Sequence, residues 1–153
     1  MHVRRFETGD ADQVWALHEC SITAVPAAHG EDYWADLRDV TERYIEAGGE
    51  FLVGVAGESL IAMGGFKPLS EREVEIMRMR VHPDWQGRGL GRTLLSALEL
   101  AARKRGYGHV YLETTVVQIP ALALYRSHGY AEVGRTAAAG FAVVQFRKAL
   151  AVD

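Results

Sequence analysis

A chain of 153 residues, 48% apolar and 24% charged, is long enough for a core of its own, and a single domain over residues 1–153 is expected. Its net charge of −3 argues against nucleic acid as a partner, its lone cysteine, Cys20, excludes an internal disulfide, and no apolar run approaches the length that spans a membrane. The opening Met1-His2-Val3-Arg4-Arg5-Phe6 lacks the apolar stretch of a signal peptide, so no membrane partner and a cytoplasmic location are expected.

Val3 to Phe6 reads as a first strand. Asp10 with Gln13 has the spacing of a capping pair, and a helix follows to about Glu19. Cys20 to Gly30, with Pro26 and small residues, reads as a loop. Trp34, Leu37, Tyr44 and Ile45 recur at helical spacing, which predicts a second helix from Asp32 to Ala47 ended by Gly48-Gly49. Phe51 to Ala56 and Ser59 to Phe66 predict a hairpin turning at Gly57-Glu58, and Glu73 to Val81 a central strand. Alternation along that strand places Glu73, Glu75 and Met77 on one face and Val74, Ile76 and Arg78 on the other, unless a bulge near Met79 resets it. Leu90, Leu94, Leu98 and Ala101 share one face of a long helix that Gly106 stops. A strand from His109 to Thr115 follows, then a short helix from Pro120 to His128 with proline near its start and Gly129 just past its end. Tyr130 to Arg135 and Phe141 to Lys148 complete the strands, separated by the small-residue loop Thr136 to Gly140.

Chemistry concentrates between the central strand and the long helix, in Val81-His82-Pro83-Asp84-Trp85-Gln86-Gly87-Arg88-Gly89-Leu90-Gly91-Arg92. The first amides of a helix lack intrahelical partners and sit at the positive end of its dipole, and glycines let an anion approach the backbone. A nucleoside-triphosphate loop is excluded because no Gly-Lys pair occurs in the chain, and a dinucleotide fingerprint because the glycines are spaced by two. Charge is arranged to match. Residues 1–76 carry six basic against fifteen acidic side chains, whereas residues 77–105 carry seven against two. The acidic part suits a cationic amine, although most of its carboxylates read as the solvated face of the second helix.

Gln86, Gly89 and Gly91 form Gln-x-x-Gly-x-Gly, which resembles the pyrophosphate-binding motif of the GNAT superfamily of acetyl-CoA-dependent N-acetyltransferases. The preceding strand Glu75 to Val81 with His82-Pro83, the downstream Leu112-Glu113-Thr114-Thr115, and Leu124-Tyr125-Arg126-Ser127-His128-Gly129-Tyr130 extend the resemblance from Glu73 to Tyr130. It implies an α/β (α+β) fold: one twisted mixed sheet with helices on both faces. It also implies acetyl-CoA as cosubstrate. Backbone groups of the strand at Met79, Arg80 and Val81 would meet the pantetheine arm, and Gln86, Gly87, Arg88, Gly89, Leu90, Gly91 and Arg92 would wrap the pyrophosphate. Gln118 stands where the family often has asparagine and could bond the pantetheine. A backbone amide near Met79 would face the thioester oxygen.

Two side chains take catalytic roles by the same resemblance. Glu75 is the candidate base, with Glu73 as the less favoured alternative and pairing to Arg78 as the plain structural reading. Tyr125 is the candidate acid for the leaving thiolate, with a core aromatic as its plain reading. Arg78 or Arg80 could meet a carboxylate if a larger acyl group such as succinyl were carried. The six histidines show no metal-ligand spacing, so no metal is expected. The expected activity is acetyl transfer to a primary amine by direct attack in a ternary complex, with a small molecule as the favoured acceptor. A protein or peptide amine, or a non-catalytic acyl-CoA sensor, are the alternatives, and a homodimer is possible.

Overall fold

A computed structural model of the chain describes residues 1–22, 31–138 and 140–151. Ten regular elements follow one another: β1 (His2–Arg5), α1 (Ala11–Ser21), β2 (Glu50–Ala56), β3 (Ser59–Pro68), β4 (Glu73–Val81), α2 (Leu90–Lys104), β5 (His109–Thr115), α3 (Ile119–Ser127), β6 (Ala131–Ala138) and β7 (Phe141–Ala149). The strands form one seven-stranded sheet in the order β1-β2-β3-β4-β5-β7-β6. All neighbours are antiparallel except β4 and β5, the pair joined through α2. A parallel pair needs such a crossover, because a hairpin reverses direction.

Alternation along the strands builds two cores. On one face Phe51, Val53 and Met63 pack with Val14 and Leu17 of α1 and with Leu37, Val40 and Tyr44. On the other, Leu52, Phe66, Val74, Ile76, Val110 and Leu112 pack with Leu94, Leu95 and Leu98 of α2 and Leu122 and Tyr125 of α3. Helices therefore cover both faces, as expected, and no helix of the described residues is long and apolar enough to cross a membrane.

Four local expectations are corrected. The predicted helix from Asp32 to Ala47 is replaced by a tight 3-10 stretch, Glu31–Arg38, and a wide π turn, Thr41–Ile45. Leu37, Val40 and Tyr44 are buried as helical spacing requires, but so is Asp36. Its carboxylate accepts from the Tyr44 hydroxyl at 2.5 Å and is gripped by Arg78 of β4 at 2.9 and 3.0 Å. Changing the pitch on either side of Asp39 reconciles these tertiary bonds with burial of the apolar side chains.

Asp10 and Gln13 do not cap α1 together. Asp10 accepts from the Glu7 amide and from both terminal nitrogens of Arg4, whereas Gln13 accepts from the Leu60 amide and so ties α1 to the start of β3. Arg78 does not share a face with Val74 and Ile76. It has a φ of +61°, and the β3–β4 register shifts between Met63 and Gly65, so the bulge returns Arg78 to the face of Glu75. Finally, β6 continues through Ala138, which removes most of the loop expected over Thr136 to Gly140. Within that loop Ala139 lies outside the described residues, as do residues 23–30 of the loop expected from Cys20 to Gly30.

Candidate active site

The site begins where two strands part. β4 and β5 pair only over Glu73–Glu75 and His109–Tyr111. Beyond Glu75 the side of β4 that faces β5 has no strand partner among the described residues, and its backbone groups border the space that opens there. A cavity of about 460 Å³ fills the gap, with the C-terminal end of β4 on one side and α3 on the other. It is lined by Met79, Arg80, Val81, Gln86, Gly87, Gly89, Leu90, Gly91, Arg92, Gln118 and Tyr125. All the cofactor positions read from the sequence except Arg88 thus converge on one cleft. Arg88 lies outside that lining, with its guanidinium 4.8 Å from the centroid of the Trp85 ring.

The cleft's floor is a turn built for an anion. Gly87 and Gly89 have φ of +78° and +77°, a region where a Cβ is strained, and Gly89 leads directly into α2. The Thr93 amide is bonded to the Gly89 carbonyl, which leaves the amides of Leu90, Gly91 and Arg92 without partners inside the helix. The Gln86 side chain does not reach into this cradle. It folds back and donates to the Val81 carbonyl at 3.1 Å, closing the turn. Arg92 is tethered to α3 by a 2.6 Å bond to the Ser127 hydroxyl and a 3.2 Å contact with the His128 ring. These free amides, the helix dipole and the basic flank fit a diphosphate, and the partnerless strand edge fits an amide-bearing arm such as pantetheine.

Tyr125 projects from α3 into the cleft and is nearly fully buried. Burial pushes its pKa up to about 12, against the opposing pull of the Arg80 charge, so the phenol keeps its proton at neutral pH. Gln118 precedes α3, and its side-chain oxygen accepts from the Thr114 hydroxyl at 2.8 Å.

A second cavity of about 200 Å³ adjoins the first, and Arg80 and Gln118 line both. Its walls include Tyr33, Trp34, Phe141 and Val143, and Glu75 and Glu113 face into it. Burial raises the Glu75 pKa above the usual carboxylate value, the negative charge of Glu113 adds to this, and Arg78 and Lys67 oppose it. Glu75 has no side-chain hydrogen bond or ion pair among the described residues, whereas Glu73 is taken up by Arg147 at 2.6 Å. The glutamate tied into the sheet surface is therefore Glu73, and the one facing the cavity is Glu75.

Reasoning from the sequence missed two members of this cavity, Glu113 and Thr115, and the buried partner of a third, Asp36 beneath Arg78. Glu113 follows buried Leu112 and precedes buried Thr114, so strand alternation alone would have placed it on the Glu75 face. The Thr115 hydroxyl, on that same face, is buried without a hydrogen-bond partner among the described residues. Asp36 was hidden because its role depends on the bulge at Arg78. A third aromatic layer lies alongside: the His18 ring sits 4.6 Å from Trp34 and 5.1 Å from Trp15. Burial, with the nearby charge of Arg80, lowers the His18 pKa to about 4 and keeps the ring neutral.

With this geometry in view, residues 13–130 match the Acetyltransferase (GNAT) family. Over 112 residues the chain is 41% identical to the N-alpha-acetyltransferase RimI of Mycobacterium tuberculosis, covering 69% of this chain and 66% of that one. Over 107 residues it is 30% identical to N-acetyltransferase 8 of Homo sapiens, covering 66% and 47%. The chain spans about half the length of the mammalian relatives it matches. The structure of yncA from Salmonella typhimurium, solved with its cofactor acetyl-CoA, has the same fold, with a TM-score of 0.77 at 19% identity over 100% of this chain and 95% of that one. Motif, splayed sheet and relatives agree, and the chain belongs to the acetyltransferase (GNAT) family.

Proposed function

We propose that the chain is an acyltransferase that moves the acetyl group of acetyl-CoA onto a primary amine by direct attack. The observation that carries this reading is the meeting of two cavities at Arg80 and Gln118. One has an anion cradle and a buried phenol, the other a pair of carboxylates. Acetyl-CoA would supply the activated acyl group and the phosphates for the cradle. The yncA structure contains that cofactor, and the RimI relative carries the name of an N-alpha-acetyltransferase.

Each residue then has a task that follows from its place. The amides of Leu90, Gly91 and Arg92 receive the pyrophosphate, and the free edge of β4 at Met79 and Val81 holds the arm. An amine with a pKa near 10.4 is almost wholly protonated at pH 7, so it needs a base. Glu75 takes that proton. Its raised pKa brings it closer to the working pH, which improves a base that must also release the proton. Glu113 supplies a second negative charge that favours the ammonium form on arrival. A backbone amide at Met79 stabilises the oxygen that gains charge. Tyr125 delivers its proton to the departing sulfur. With base and acid provided in adjoining spaces, both reactants are held together and no acyl-enzyme is required.

The acceptor space of about 200 Å³ suits a small molecule. Calorimetric titration with acetyl-CoA, followed by thiol release across a panel of amines, tests the reading. Binding with release that depends on one class of amine supports it. Binding without amine-dependent release favours an acyl-CoA sensor, and no binding overturns it.

A further inference from the structure

Arg78 and Arg80 lie close together on the acceptor side of β4, but their charges are answered differently. Arg78 is neutralised by Asp36. Arg80 has no carboxylate partner among the described residues. Its Nη1 donates to the Met79 carbonyl at 3.0 Å, its guanidinium carbon lies 5.5 Å from the Trp34 ring centroid, and its Nε is buried without a hydrogen-bond partner among the described residues. Burial and the neighbouring Arg78 charge lower its pKa to about 10, so it remains a cation at neutral pH. Holding an unanswered cation out of water is costly, and the cost falls when a ligand brings the counter-charge.

The position of Arg80 identifies that ligand. The phosphate cradle, Gly87 to Arg92, lies beyond the end of β4, whereas Arg80 sits at the seam with the acceptor space. That space also presents the carboxylates of Glu75 and Glu113 and the unpartnered Thr115 hydroxyl. One small volume thus offers a cation and two anions beside aromatic walls. We propose that the acceptor is a free α-amino acid whose carboxylate is held by Arg80 and whose α-amine faces Glu75, with an apolar side chain against Tyr33, Trp34 and Phe141. A peptide N-terminus has a neutral carbonyl at that carbon, and a polyamine has only charge that Arg80 repels. An acyl chain ending in a carboxylate would place it beside Glu75 and Glu113.

The inference rests on the acetyl-transfer reading above. The α-ammonium loses one proton to Glu75, its nitrogen bonds to the acetyl carbon, and a second proton leaves the nitrogen as the amide forms. The carbon–sulfur bond breaks with its electron pair on sulfur, which takes the Tyr125 proton. One of the two amine protons restores Tyr125 through solvent and the other is released.

The test is steady-state thiol release with acetyl-CoA and L-phenylalanine, L-leucine or L-methionine, each beside its α-carboxamide, its dipeptide with C-terminal glycine, and spermidine. We expect kcat/KM for at least one acid to exceed that for its amide and dipeptide by about tenfold or more. Arg80→Gln should bring that ratio close to one, and Arg80→Lys should keep part of it. Amides or dipeptides used as well as the acids, spermidine used alone, no amine used at all, or a preference that survives Arg80→Gln would each overturn the proposal. So would Arg80-dependent use of succinyl-CoA in place of acetyl-CoA. Calorimetry on the same samples separates the two readings. Acetyl-CoA binding with amine-dependent release but the wrong ratio removes only the amino-acid acceptor, whereas absent binding removes acetyl transfer as well.

Discussion

At the scale of single residues, the two candidate catalytic groups are set apart by their surroundings. Tyr125 is buried and its pKa stands at about 12, so it holds its proton throughout the range in which the enzyme would work. Tyr125→Phe keeps the ring and removes only the donor. We expect kcat to fall about 100-fold with little change in acetyl-CoA affinity, measured by steady-state kinetics and calorimetry. Unchanged kcat would leave Tyr125 as core packing. Glu75 is shifted upward as well, but the effect on a base is opposite: its raised pKa delays the active carboxylate to higher pH. The acid limb of kcat/KM against pH should therefore rise above the usual carboxylate range, and Glu75→Gln should lower the rate and abolish that limb. The same shift has a thermodynamic sign. The folded state holds the Glu75 proton more tightly than the unfolded chain. Its stabilising contribution is present below the unfolded value and is lost as pH rises through the folded one. Glu75→Gln should thus raise Tm at pH 7 relative to the parent and not at pH 4, read by thermal melts at both.

At the scale of elements, what was legible depended on whether the signal was local. The β2–β3 hairpin, β4, α2 and α3 were readable because period, glycine and proline placement all lie within each segment. The stretch after residue 30 was not, because its conformation answers to β4. Asp36 is drawn inward by Arg78, and Arg78 is there only because the chain enters the left-handed region at that residue. The helical spacing of Leu37 and Tyr44 was real, yet it described burial rather than hydrogen bonding. This coupling predicts a stability effect far larger than a surface charge would give. The Arg78 and Asp36 side chains are 11% and 7% exposed. Arg78→Ala should cost about 3 kcal/mol in urea unfolding, because it strands the Asp36 carboxylate. Adding Asp36→Asn, which still accepts from Tyr44, should recover part of the loss. Additive losses would mean the two side chains are not coupled.

Across the whole molecule, the cleft is the line along which the sheet is least joined. Three residues of β4 and three of β5 hold the two halves together there, and the cavity of about 460 Å³ opens beside them. The sequence carried the cradle as a motif, but it could not show this splay, since strand separation depends on how far the partner strand follows. The second cavity was unreadable for the same reason: Glu75, Arg80, Glu113 and Trp34 come from three segments brought together only by the fold. A ligand lying along the seam makes contact with both halves, so binding should stabilise the chain as a unit. At 100 times its dissociation constant, acetyl-CoA adds about 2.7 kcal/mol, which for a chain of this size raises Tm by roughly 5–10 °C. Acetyl-pantetheine at the same concentration lacks the diphosphate and leaves the amides of Leu90 to Arg92 unused, so its shift should be much smaller. The acetyl-CoA shift at fixed ligand concentration should also shrink as salt rises, because the phosphates bind through charge, whereas the acetyl-pantetheine shift should not. Equal shifts for the two ligands in thermal melts would show that the turn from Gln86 to Arg92 is not where the phosphates bind.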